Sequence, residues 1–209
     1  MIITALIAGL GSVSAQDSET DNREKVQFGL KGGLNYSNVY DSKGEEFKAD
    51  SKFGIAAGLT LAIPIGKYLG LQPEVLLLQK GYQASGSILG LQYGYTRTTT
   101  YIDVPVLAAL KPSEFFTLFA GPQVSFLVNQ RDEYSSSTAS SLQDTGFSND
   151  NPRKNIFGVT GGLDINLKHI ILGARAGCDL QTNNGDGTSS NPRYKNMWFT
   201  GSIGYSFYK

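Results

Sequence analysis

Eight segments of period-two alternation, joined by links that are short and long by turns, constrain this chain more than any motif in it. Successive side chains of a strand point to opposite faces, so such alternation marks a pleated segment with two unlike sides. In the first, Val26, Phe28, Leu30, Leu34 and Tyr36 share one parity, and Gln27, Lys31, Asn35 and Ser37 share the other. The second spans about 51–63, with Phe53, Ile55, Leu59, Leu61 and Ile63 against Gly54, Ala56, Gly58 and Thr60. The third, about 68–85, opposes Leu71, Val75 and Leu77 to Gln72, Glu74 and Lys80. The fourth, about 95–110, opposes Ile102, Val104 and Val106 to Arg97, Tyr101 and Asp103.

The fifth segment, 115–129, sets Leu118, Ala120, Val124, Phe126 and Val128 against Thr117, Gly121, Gln123 and Ser125. The sixth, about 155–167, sets Phe157, Val159, Leu163 and Ile165 against Gly158, Thr160, Gly162 and Asp164. The seventh, about 170–181, carries Arg175 and Asp179 opposite Leu172, Ala174, Ala176, Cys178 and Leu180. The last, 195–208, has Met197, Phe199, Ile203, Tyr205 and Phe207 on one side. Turn-forming pieces at 64–67, 111–114 and 168–169 make the even-numbered links short, while the odd-numbered links are longer and polar, the longest being the Ser-rich 130–154. Short turns at one end, long loops at the other and both termini at the short end predict an up-and-down antiparallel barrel.

Which face is apolar decides between two kinds of barrel. A soluble ligand carrier turns its apolar residues inward, and a membrane barrel turns them outward. The non-apolar face carries Lys31, Glu74, Lys80, Arg97, Asp103, Asp164, Arg175 and Asp179, a set balanced in sign. An eight-stranded lumen is just wide enough for side chains, so charges packed there have to pair. The same face is rich in Gly, including Gly54, Gly58, Gly121, Gly158, Gly162, Gly173, Gly177 and Gly204, which suits a narrow interior. Tyr36, Tyr40, Phe53, Tyr82, Tyr93, Phe157 and Phe199 gather toward the long links. Phe28, Tyr68, Phe116, Tyr205 and Phe207 gather toward the short ones, and together the two groups read as interfacial girdles. Trp198 breaks the pattern, because its parity points inward. The expected fold is therefore all-β, an eight-stranded antiparallel up-and-down transmembrane β-barrel, with the eight charges as a lumen network and lipid around it.

The first fifteen residues are uncharged, mostly apolar or small, and end Val13-Ser14-Ala15, which reads as a signal peptide cleaved after Ala15. The run is too short for a spanning helix, and Gly9 and Gly11 interrupt it. The expected organisation is a signal peptide over 1–15, a polar lead over 16–25 and one barrel domain over 26–209. Such a chain is exported to the Gram-negative outer membrane, with both termini periplasmic. Lys plus Arg and Asp plus Glu number 18 each, so no basic field points to nucleic acid.

Chemistry is sparse. Glu74 and Asp103 could do acid–base work as a pair, but interior pairing with Lys80, Arg97 and Arg175 accounts for all the charges together. His169 is the one histidine and falls in a turn, which reads as a surface position and rules out a triad or a His-rich metal site. Cys178 has no cysteine to pair with. Asn183-Asn184-Gly185-Asp186-Gly187 faintly suggests an oxygen-rich calcium loop, but without the spacing or terminal Glu of one it reads as a turn. The expectation is a barrel that is not an enzyme and uses no catalytic residue, cofactor or metal.

Several motifs carry a resemblance: Leu71-Gln72-Pro73-Glu74-Val75-Leu76 with Gln79-Lys80-Gly81, then Tyr101-Ile102-Asp103-Val104-Pro105-Val106, Phe119-Ala120-Gly121-Pro122 and Ile203-Gly204-Tyr205-Ser206-Phe207. Over about 26–208 the chain resembles the PorT-like outer-membrane barrels of Bacteroidota. The resemblance implies an eight-stranded outer-membrane barrel whose alternating terminal aromatics look like the signal read by the barrel-assembly machinery. The family's namesake is linked to type IX secretion, and no residue here matches a secretion-specific motif. The expected role is structural or protein-interacting, with envelope or secretion proteins as partners; the alternative is a narrow porin-like channel for small solutes.

Overall fold

The structure, a computed structural model, describes residues 22–41, 49–88, 91–136, 140–143, 153–183 and 194–208. A 3-10 turn at Asn22–Glu24 leads into nine strands: β1 Gln27–Asp41, β2 Asp50–Pro64, β3 Leu69–Ile88, β4 Leu91–Leu110, β5 Phe116–Ser136, β6 Ser140–Gln143, β7 Asn155–Leu167, β8 Ile170–Asp179 and β9 Tyr194–Phe207. Eight of them close a ring, β1-β2-β3-β4-β5-β7-β8-β9, with β9 returning to β1 from Phe28↔Phe207 to Asp41↔Tyr194. Every pairing is antiparallel. Short β6 lies outside the ring, paired to β5 at Asp132–Ser135.

Inside and outside are inverted relative to a soluble protein. Phe53 is 66% exposed and Ile203 65%, while the side chains of Lys80 and Asp103 are 0% exposed. Apolar residues on the outer faces of all eight strands present a continuous hydrophobic wall far larger than a soluble monomer tolerates. Lipid is the solvent that suits it, and closure is what lipid demands, because an open edge would leave N–H and C=O groups without partners.

The strands differ in length, and the difference lies at one end. Ile65–Tyr68, Lys111–Phe115 and Lys168–His169 join neighbours tightly at the end that holds both termini, so β3, β4 and β5, with 20, 20 and 21 residues, rise well past 10-residue β8 at the other end. A tilted membrane crossing needs only about 9–11 residues. The tall part is therefore a sheet standing clear of the lipid, with polar Gln83, Ser85, Thr96, Thr98, Arg131 and Glu133 on its outer face.

Three expectations need correcting here. β5 continues to Ser136, and β6 lies within what read as the loop 130–154. The third link is no long polar loop, since β3 and β4 stay paired up to Ile88↔Leu91. Tyr82 belongs to no girdle: it shares the parity of Lys80 and is buried inside. The physical reason for the first lies at Val128. Thr100 pairs with Asn129 while the next residue, Tyr101, pairs with Leu127, so β5 holds one residue more than β4 at that point. Such a bulge shifts the alternation by one: even-numbered Phe126 and Val128 face out, whereas even-numbered Gln130 and Asp132 are buried inside. The signal peptide 1–15, most of the lead 16–25 and the 183–187 turn beyond Asn183 lie outside the described residues.

A lipid-facing wall makes a specific demand at mid-height. Leu163 on β7 sits between Leu118 of β5 and Ala174 of β8 on the outer face. In the barrel refolded into phospholipid vesicles, Leu163→Arg should cost about 2–4 kcal/mol in urea unfolding; a change within about 0.5 kcal/mol, as at a water-exposed site, would contradict the lipid-facing assignment.

Candidate functional site

Among the described residues buried charge is concentrated in the lumen, and side chains from every barrel strand fill it in layers. Lys31, Glu74, Lys80, Arg97, Asp103, Asp164, Arg175 and Asp179 all project inward from β1, β3, β4, β7 and β8. Two further ions join them, Asp132 above the Val128 bulge and Lys111 at the short-turn mouth. Five cations then face five anions, so the interior stays neutral as a whole.

The upper layer lies toward the long-loop end. Arg97 holds Asp132 through two parallel bonds, Nε to Oδ1 and Nη2 to Oδ2, both 2.8 Å, and donates a third from Nη1 to the Tyr194 hydroxyl at 2.8 Å. Such a planar fork on a carboxylate is among the strongest side-chain pairings. Tyr82 packs edge-on to Tyr194 with centroids 5.3 Å apart, and Tyr95 lies 5.8 Å from Tyr82. Val39 completes the cluster. Tyr82 thus packs inside the bore, although the sequence suggests it for an outward girdle.

Below it, the middle layer centres on Lys80. Its ammonium lies 3.0 Å from Asp103 Oδ2 and 3.9 Å from Asp179 Oδ1, donates to Ser125 Oγ at 3.2 Å, and rests 3.8 Å from the Trp198 ring centroid and 4.9 Å from that of Tyr101. Gln123 donates to Asp103 Oδ2 at 2.6 Å, and Asn196 to Asp179 Oδ2 at 2.5 Å. Trp198 fits inside because its cross-strand partner is Gly177; a Cβ there would overlap the indole ring. The inward parity of Trp198 is thus a cation–π contact with a buried lysine. This layer has one cation for two carboxylates, and Asp103 Oδ1 and Asp179 Oδ1 have no hydrogen-bond partner among the described residues.

The lower layer is paired two to two. Arg175 grips Asp164 through Nη1–Oδ1 at 2.6 Å and Nη2–Oδ2 at 3.1 Å, and its Nη2 is 3.6 Å from Glu74 Oε1. Lys31 donates to Glu74 Oε2 at 2.5 Å, and Gln72 to Oε1 at 2.8 Å. The guanidinium also lies 4.3 Å from the Phe119 ring centroid. Gly162, facing Arg175 across β7 and β8, leaves room for this; a Cβ would come within 2.9 Å of Arg175 Cδ.

His169 turns out half-buried rather than a free surface residue, stacked on Tyr205 and Tyr208 at 5.4 and 4.5 Å with Nδ1 2.9 Å from the Ser206 carbonyl. It ties the β7–β8 turn to β9. Cys178 lies half-buried on the outward parity of β8. Among the described residues no group of three or more His, Cys, Asp and Glu is placed to hold a metal ion. Asp132 and Lys111 are the lumen ions that the alternation alone does not reveal; the cue to Asp132 is the run Gln130-Arg131-Asp132-Glu133-Tyr134, which resumes alternation one residue out of phase.

A layer so fully desolvated is sensitive to losing one member. Lys80→Met should destabilise the folded barrel by about 3–5 kcal/mol, because two carboxylates are then buried without their cation. Adding Asp103→Asn and Asp179→Asn should recover most of that loss. Fluorescence of Trp198, the single tryptophan, reports the layer directly; equal unfolding midpoints for wild type and Lys80→Met would show that the layer contributes nothing.

Comparisons with known proteins agree with this geometry. No curated protein sequence matches the chain. Among solved structures it is similar to Ail, the attachment invasion locus protein of Yersinia pestis, in complex with the heparin analogue sucrose octasulfate, at 12% identity over 88% of this chain and 99% of that one, with a TM-score of 0.51. It is also similar to Neisserial surface protein A, at 10% identity over 86% and 97% of the two chains with a TM-score of 0.46. OprG from Pseudomonas aeruginosa follows at 14% identity, 89% and 98% coverage and a TM-score of 0.42. At 12% identity the likeness to Ail speaks for the fold alone. The family model described as outer membrane protein beta-barrel domain matches residues 14–177, and the chain belongs to that family.

Proposed function

We propose that this protein is a sealed outer-membrane scaffold that works through its surfaces, binding other envelope or secretion proteins rather than passing solutes. The observation that carries this reading is the stack of layers across the bore. Arg97 with Asp132, then Lys80 with Asp103 and Asp179, then Arg175 with Asp164 and Glu74 set three successive layers of paired charge across the bore. An ion crossing the bore would have to break charge pairs in a low-dielectric interior, each costly to separate. The tall sheet of β3, β4 and β5, polar on its outer face, is the natural place for partners to meet the barrel. The motifs from Leu71 to Gly81 and from Tyr101 to Val106 support a PorT-like role within the family, in secretion or envelope assembly.

The same reading places the short-turn end and both termini in the periplasm, since outer-membrane barrels carry short periplasmic turns and longer outer loops. It also has the signal peptide 1–15 removed during export and the barrel-assembly machinery reading the terminal aromatic strand.

Planar-bilayer recording tests the seal. The wild-type barrel should show no single-channel steps, and Arg97→Ala with Asp132→Ala and Lys80→Ala should produce them by removing the two upper layers. Regular steps from the wild type would overturn the sealed reading in favour of a narrow channel.

A further inference from the structure

At the short-turn end the bore opens into a cup of about 310 Å³, lined by side chains from seven of the eight barrel strands and from the turns between them. That volume is at the small end of ligand sites and holds roughly ten waters' worth of liquid. The floor is Gln72, Phe119 and Asp164, directly against the Arg175 layer, so the cup is a dead end. Amide and hydroxyl groups of Gln27, Asn166, Thr117 and Ser206 line the wall.

Among the described residues the cup is lined by more basic than acidic side chains. Arg23, Lys111 and Lys168 face it together with Glu114, and the remaining acid, Asp164, is gripped from below by Arg175. Lys111 is buried, and its Nζ donates to the Arg23 carbonyl at 3.0 Å, which fastens the N-terminal 3-10 turn against the rim. Arg23 in turn lies 5.4 Å from the Tyr68 ring centroid.

Lys168 adds an independent observation. In the two-residue β7–β8 turn it holds φ at 57°, the one non-glycine residue with positive φ among those described. Gly or Asn adopts that conformation with least strain, and hairpin turns select them for it. A lysine there is a poor choice for the turn, and strain kept at one residue directs attention to what its side chain does. This side chain lines the cup.

We propose that the cup binds a small oxyanion, a carboxylate- or phosphate-bearing solute reaching it from the compartment that holds the termini, and that Lys168 is retained in its strained turn to hold that anion. Asn166, whose Nδ2 donates to Thr117 Oγ1 at 3.0 Å, orients the polar wall beside it. Binding does not depend on the sealed-scaffold reading: conductance decides that reading, and equilibrium binding decides this one.

The test uses the exported full-length chain in nanodiscs of zwitterionic lipid, titrated with succinate and with inorganic phosphate and followed by NMR shifts of the turn and rim amides. Saturable binding of at least one is expected, weakened about tenfold or more by Lys168→Gly, the loss of one charge-assisted contact. Lys67→Gln, on the neighbouring short turn outside the cup, should leave it unchanged. Preference for succinate assigns a carboxylate ligand, and preference for phosphate a phosphorylated one. Lys168→Gly should unfold at the same or higher urea concentration than wild type, so that loss of binding cannot be loss of fold. No saturable binding of either anion, or equal weakening by Lys67→Gln, would overturn the assignment.

Discussion

Everything in this molecule follows from a backbone that has no water to bond with. In lipid each unpaired N–H or C=O costs several kcal/mol, so the first and last barrel strands have to find each other. The β1–β9 ladder runs from Phe28↔Phe207 to Asp41↔Tyr194 and removes the edge that an open sheet would expose. Once the ring is closed with eight strands, its bore is too narrow for bulk water and too polar to be left unfilled. The charged layers are the consequence, and their pairing is forced by the same lack of solvent.

Much of the ring is legible in the sequence because its two faces see opposite solvents. Alternation of Leu172, Ala174 and Ala176 with Gly173, Arg175 and Gly177 tells inside from outside without knowledge of any neighbour. Balanced charge on the polar face then chooses membrane over water. What alternation cannot tell is who pairs with whom, because partners are set by register between distant strands. Arg97 could have met any acid at its height; it meets Asp132, 35 residues on, only because one extra residue at Val128 rotates the upper half of β5. Lys111 is hidden for a different reason: it lies next to Pro112 at a turn, where parity has no meaning, and is buried by the N-terminal segment folding over it.

Tyr82 and Trp198 teach a related lesson about aromatic residues in barrels. Position near a strand end invites the girdle reading for both, and parity places both inside. Parity wins because a strand has no freedom to turn one side chain through the wall. What the inner aromatics supply is polarisable surface for buried cations: Trp198 and Tyr101 flank Lys80, and Tyr95 lies 5.6 Å from Arg97. A lumen filled with aliphatic side chains could not solvate those ions.

The uneven strand lengths give the barrel a direction within the membrane plane. A cylinder with a level rim looks alike from every side, and neighbours could approach it from any angle. Here β4 has ten more residues than β8, which at about 3.3 Å per residue lifts one wall on the order of 25 Å above the other once tilt is allowed for. A neighbour on the β3–β5 side meets a tall screen of strands, and one on the β7–β8 side meets strands that end lower. Any assembly that includes this barrel therefore has to fix its azimuth as well as its place.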